Sequence, residues 1–292
     1  RLPPYAGDTF FYGSLAEPMS CIVGAMRASY HMPQGTHEHQ MGIKPRGNMA
    51  ILAGAGPMGL GLIDLCVHGD RSPSFLLITD IDEGRLKRAK ALFPETEAKK
   101  YSIRLEYINT SSMKNPVEEM NKIFGIEGFD DIFVMASVPP LVEQADRMLA
   151  QDGCMNFFAG PSDPEFSATI NFYDLHYAFH HFVGTSGGNT EDMNIAIKLM
   201  EQGRINPASM VTHVGGLNTV RDAILNLPNI PGGKILIYTH IDLPLFAIPE
   251  FDKAGKSDPL FRKLAVSAKN HNSLWNREAE DILLGKRRGS EP

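Results

Sequence analysis

The chain has 292 residues, with 28 basic and 34 acidic side chains, a net charge of −6 and no long run of one sign. That length buries a sizeable core as one large or two ordinary domains, and the charge balance argues against nucleic acid or a membrane surface as partner. No apolar run approaches the roughly 20 residues of a membrane helix, the start lacks the regions of a signal peptide, and Cys21, Cys66 and Cys154 match neither a disulfide framework nor a zinc knuckle, which suits a reducing cytoplasm.

Taken in order, residues 1–16 are punctuated by Pro and Gly and read as an approach loop. The chain opens on Arg1 and soon reaches helical sequence, which is expected of a piece of something longer. Glu17-Pro18 then predicts a helix to about Tyr30, with Pro18 at the first helical position and Ile22, Val23, Ala25 and Met26 as an apolar stripe. Residues 31–48 read as loop. His31, His37 and His39 fall there, but Pro33 and Gly35 fix no common face, so solvated histidines are expected rather than metal ligands.

From Met49 strands and helices alternate. The apolar run 49–53 enters Gly54-x-Gly56-x-x-Gly59, a helix follows over 58–68, and a second apolar run, 75–80, ends in Asp80. This is the order a dinucleotide site requires: Gly54 lets the chain turn, Gly56 lets backbone approach a diphosphate, and Gly59 lets helix and strand pack closely. Asp82 caps the next helix, with Leu86, Ala89 and Phe93 inward and Pro94 as its stop. Residues 103–109 alternate as a third strand. Asn115, Pro116 and Glu118 mark a helix start and Gly125 its end, 132–135 read as a doubly buried strand, and Pro139-Pro140 opens another helix. Asp152-Gly153 is read as a turn before strand 154–159, and 182–186 as a sixth strand. Thr190 is read as the cap of a helix to about Glu201, with Met193, Ile197 and Met200 on one face and Gly203 closing it. Six strands with intervening helices predict an α/β fold, a doubly wound parallel Rossmann sheet with its crevice at the C-terminal strand ends.

After Asn206 the rhythm changes. A short helix over 220–227, a strand over 234–238 and two amphipathic helices, around 260–266 and 276–284, continue neither pattern. The expected division is an approach segment 1–16, a dinucleotide-binding domain 17–206 and a return segment 207–292 with the closing helices. There is no internal repeat or low-complexity segment.

The expected cofactor site comprises Gly54, Gly56, Pro57, Met58 and Gly59 with Asp80, Ile81 and Arg85. A carboxylate at 80 favours NAD(H), since it accepts ribose hydroxyls and repels a 2′-phosphate. Arg85, one turn into the next helix, keeps NADP(H) open. Two rivals stay open as well: a nucleotide-binding module without catalysis, and a methyltransferase using the same loop and acid for S-adenosylmethionine.

With Glu17-Pro18-Met-Ser-Cys21 ahead of the glycine motif, Gly184-Thr-Ser-Gly-Gly188 and Val211-Thr-His213, the chain resembles the zinc-type medium-chain alcohol and polyol dehydrogenases. The phrases at 232–244 and 271–276 are similar to those of the L-sorbose-1-phosphate reductase branch. The resemblance implies that Ala136, Ser137 and Val138 lie near the adenosine and nicotinamide ribose, and that Ala159, Gly160, Thr185, Ser186 and Gly187 lie near the nicotinamide. It also implies an N-terminal GroES-like domain, not visible here, that carries most zinc ligands and the proton relay. Glu17 matches the family Glu that approaches zinc; read from sequence alone it is a dipole-favoured first-turn acid. No catalytic residue is assigned. The implied activity is NAD(P)H-dependent reduction of a sugar or polyol carbonyl, such as that of a ketose phosphate, in a homo-oligomer, with zinc polarising the carbonyl in the full-length enzyme.

Overall fold

The computed structural model describes residues 5, 7 and 9–285. Among these the chain forms two compact units, one built on residues 16–205 and the other on residues 9–15 and 206–285. No helix in the described residues is long and apolar enough to cross a membrane.

Helix α1 (Phe10–Ala28) is followed by a short antiparallel pair, β1 (Tyr30–His31) and β2 (Gln40–Met41). The alternation then runs β3 (Asn48–Leu52), α2 (Pro57–His68), β4 (Phe75–Asp80), α3 (Glu83–Leu92), α4 (Glu95–Lys100), β5 (Arg104–Asn109), α5 (Pro116–Phe124), β6 (Phe129–Val134), α6 (Pro139–Met148), β7 (Leu149–Phe157), α7 (Phe172–Tyr177), β8 (His181–Gly184) and α8 (Thr190–Glu201). Six of these strands form one parallel sheet in the order β5-β4-β3-β6-β7-β8. The order reverses between β3 and β6, which opens a crevice beyond their C-terminal ends.

The period-two alternation of a strand separates two cores. Ala50, Leu52, Leu77, Ile132 and Val134 face Val117 and Met120 of α5 and Val142, Ala145 and Met148 of α6. On the opposite face Met49 touches Cys66 of α2, and the buried Asn156 donates to the Ala25 carbonyl of α1 at 2.9 Å. With both faces covered, every residue of β4 is buried, Asp80 included.

The second unit holds β9 (Val211–Gly216), α9 (Val220–Leu225), β10 (Lys234–Tyr238), β11 (Phe246–Ala247), α10 (Phe251–Ala254), α11 (Pro259–Asn270) and α12 (Arg277–Leu283), with the first turns of α1. β9 pairs with β10 in parallel and with β11 antiparallel. Its centre is polar: the fully buried Trp275 donates from Nε1 to the Tyr238 hydroxyl at 2.9 Å, and Tyr238 donates to Glu280 Oε1 at 2.5 Å. Glu280, itself buried, also accepts the backbone N–H groups of Phe10 and Phe11 at 2.9 and 3.0 Å. The phrases at 232–244 and 271–276 thus meet in one hydrogen-bonded chain that ends on the start of α1.

Several expectations are corrected. The first helix begins at Phe10, not Glu17, and Pro18 lies inside it; Phe11, Leu15, Met19 and Ile22 continue one buried stripe across the proline, and Glu280 accepts the first two helical N–H groups. Glu17 is therefore mid-helix rather than in a first turn. Residues 31–48 include the β1–β2 pair, and His31 is not solvated: it is 5% exposed, with Nδ1 donating to the Asp152 carbonyl at 2.8 Å and Nε2 facing Asp131 at 3.2 Å. Asn115 makes no side-chain cap; Glu119 instead accepts the N–H groups of Lys114 and Asn115. The cap of α8 is Asn189, in a reciprocal pair with Asp192, and Thr190 is its first residue. At Asp152, φ 60°, the expected turn is absorbed as an irregularity within β7. Helices α4 and α7 had no counterpart in the sequence reading.

Candidate functional site

The centre of the site is the turn between β3 and α2. Ala53 adopts φ 54°, a left-handed conformation that strains a residue with a Cβ. The turn is held from the neighbouring strand: Gly54 N–H donates to the Thr79 carbonyl at 2.8 Å, and Ala55 N–H to Asp80 Oδ2 at 3.1 Å. A Cβ at Gly59 would collide with the Gly54 carbonyl, so α2 packs this closely on the turn only because residue 59 is glycine. A Cβ at Gly56, by contrast, would meet no atom within 4 Å. The space above Gly56 is open, Gly56 caps α2 without a side chain, and Pro57 is the first helical residue. Unpaired N–H groups and the positive end of α2, with Met58 and Gly59 in its first turn, therefore border an open cradle.

Asp80 closes one side of this cradle. It is 5% exposed; Oδ2 accepts from Ala55, and Oδ1 accepts from Ile81 and Asp82 N–H at 2.8 and 3.0 Å. Three backbone bonds fix the carboxylate and leave about one of its four lone-pair positions free. Beside it, Ile81 is 72% exposed, and the exposed Arg85 leans toward Asp82, with Nε 3.8 Å from Oδ2.

The other expected residues follow neighbouring strands at the same edge. Met135 N–H donates to the Leu52 carbonyl at 3.0 Å, which sets Ala136, Ser137 and Val138 beside the glycine turn across the switch between β3 and β6. Ala159 N–H donates to the Val134 carbonyl at 3.0 Å, and Phe157 pairs with Gly184, so Ala159 and Gly160 and then Thr185, Ser186 and Gly187 continue the row. The Thr185 hydroxyl oxygen is buried and has no hydrogen-bond partner, an unusual state for a polar atom.

Glu17 stands apart in character. It is exposed on α1, where its carboxylate accepts from Cys21 Sγ at 3.2 Å one turn on. Among the described residues no three His, Cys, Asp or Glu side chains come together to hold a metal ion.

Sequence reasoning missed the three amides that seat Asp80 and the strain at Ala53. Neither leaves a sequence signal, because an alanine before the first glycine looks like any strand end.

A family model described as zinc-binding dehydrogenase matches residues 77–202. The chain is 52% identical over 282 residues to mannitol-1-phosphate 5-dehydrogenase of Aliivibrio fischeri, covering 96% of this chain and 66% of that one. It is 44% identical over 280 residues to L-sorbose 1-phosphate reductase of Klebsiella pneumoniae, covering 96% and 65%. The chain thus spans about two thirds of these curated relatives. The crystal structure of 2R,3R-butanediol dehydrogenase from Bacillus subtilis superposes with a TM-score of 0.63 at 20% identity, over 82% of this chain and 60% of that one. The chain belongs to the zinc-type medium-chain dehydrogenase superfamily, whose parallel dinucleotide-type sheet it shares.

Proposed function

We propose that this chain binds and orients the nicotinamide cofactor of a dehydrogenase that interconverts the carbonyl and hydroxyl forms of a sugar or polyol phosphate. One observation carries the reading: an open cradle above Gly56, walled by a helix start and by a carboxylate locked to Ala55. The substrate class is supported by the names of the relatives, for mannitol 1-phosphate and L-sorbose 1-phosphate.

When bound, the cofactor supplies or accepts the hydride at its nicotinamide ring. In this reading Gly56 and the amides of α2 hold the diphosphate, while Asp80 accepts a hydroxyl of the adenosine ribose at its remaining lone pair. The carboxylate disfavours a 2′-phosphate, and Arg85 shares its charge with Asp82, so NAD(H) is preferred over NADP(H). The buried Thr185 hydroxyl gains a partner when the nicotinamide end of the crevice fills. Binding in this way supplies orientation. Among the described residues no three His, Cys, Asp or Glu side chains come together to hold a metal ion, so the roles assigned to this chain are binding and orientation. A nucleotide-binding module with no chemistry of its own is the second reading, which a reductase assay separates from the first.

The decisive variant is Gly56→Val, because φ −76° suits any residue and the new side chain meets open space. The protein is expected to melt as the wild type does and to lose NADH affinity by at least about tenfold in a fluorescence titration, since the branched side chain displaces the diphosphate from the amides. Unchanged NADH binding in this variant, or no binding by the wild type, would sink the proposal.

A further inference from the structure

Apart from the crevice, the first unit contains a cavity of about 590 Å³ against α1, α2, α8 and the segment after β2. None of the residues assigned to the cofactor lines it. The volume lies in the range of pockets that hold small organic ligands. Val23, Met26, Met41, Ile43, Leu65 and Leu199 give it an apolar wall.

Its charges are unevenly compensated. Arg27 pairs with Glu191 at 3.0 Å and with Asp192, and Asp70 pairs with Arg204 at 2.5 Å. Arg71 alone among the four charged lining residues has no carboxylate partner. Its Nη1 donates to the carbonyls of Met41 and Ile43, and Nε and Nη2 of this exposed side chain meet no protein acceptor among the described residues. Gly42, at φ +90°, lets the guanidinium approach the backbone where a Cβ would fall 2.2 Å from Arg71 Nη1. The parallel sheet does not require this wall, since α1 ends at Ala28 and β3 starts at Asn48; residues 41–43 belong to the extra segment between them.

We propose that this cavity is a second ligand site that binds an amphipathic anion, a carboxylate or phosphate head on Arg71 with an apolar tail along the wall. A planar guanidinium whose Nε and Nη2 have no protein acceptor matches either head group with two charge-assisted bonds, where an alcohol offers one weaker neutral acceptor and a cation offers none. The site is independent of the nucleotide reading above.

The test is calorimetric titration of the whole chain with decanoate, decyl phosphate, decanol and decyltrimethylammonium, each below its micelle concentration. Saturable binding at one site is expected for the two anions, at least about tenfold tighter than for the alcohol or the cation, the margin of a charge-assisted bond. Arg71→Gln is expected to erase that margin, Ile195→Trp to fill the cavity and abolish binding, and Gly56→Val to leave anion binding unchanged. The proposal is overturned if neither anion binds, if Arg71→Gln binds both as the wild type does while melting normally, or if NADH displaces them, which would place them in the crevice.

Discussion

Single atoms decide the behaviour of the glycine turn. Gly56 and Gly59 look alike in sequence, yet one faces open space and the other faces the Gly54 carbonyl. Gly59→Ala is accordingly a folding lesion rather than a binding one: about 2 kcal/mol of stability is expected to be lost, as for an overpacked core, and urea unfolding reads it directly. Loss of NADH affinity at unchanged stability in this variant would contradict the packing role.

At the opposite end of the sheet, His31 sits between two acceptors, the Asp152 carbonyl and the Asp131 carboxylate. Burial opposes its charge, but the bonds and charges of Asp131 and Asp152 outweigh burial and raise its pKa, while burial raises that of Asp131. The pair therefore holds its proton more tightly than free side chains do. With a folded pKa above the ordinary value, the stabilisation from His31 is complete below about pH 6.5 and is lost as pH rises through the raised value. The melting temperature of the wild type is expected to fall from neutral toward alkaline pH and that of Asp131→Asn to fall less; parallel curves would remove His31 as the cause.

Among the elements, α1 shows most clearly how distant groups rewrite a local signal. Its sequence suggests a start at Glu17-Pro18, the usual place for a helical proline. The actual start is fixed by Glu280, which lies 270 residues from Phe10 in sequence and spends its carboxylate on two amides and the Tyr238 hydroxyl. Burial, reinforced by the carboxylate, raises the pKa of Tyr238, so its hydroxyl keeps the proton it donates. Glu280→Ala removes the acceptor of the buried Phe11 amide and Tyr238 hydroxyl and is expected to cost roughly 3 kcal/mol, with Glu280→Gln recovering part of it. Hydrogen exchange at the amides of Phe10 and Phe11 checks the mechanism: both are expected to lose protection in the alanine variant. The cap of α8 teaches the same lesson over a shorter range: the sequence suggests Thr190, and the reciprocal bond with Asp192 makes the cap Asn189.

At the scale of the whole molecule, the chain spans about two thirds of its curated relatives. In the proposed reading the chain is expected to bind NADH while reducing a ketose phosphate at least about a thousandfold more slowly than these relatives, because polarisation of the carbonyl by a metal is worth several kcal/mol and no three metal-binding side chains come together among the described residues. Zinc-dependent turnover near the rate of such a relative would refute this.

What the sequence determined by itself is the six-strand alternation, the Gly54 to Gly59 turn and the acid at the next strand end. Each is encoded within a few consecutive residues, by hydrophobic period and by the conformational freedom of glycine. The tertiary structure alone decided the burial of His31, the true start of α1, the Ala55 amide that locks Asp80 and the uncompensated guanidinium of Arg71. These depend on groups brought together from distant parts of the chain, and a polar atom's partner, unlike its propensity, is written nowhere near it.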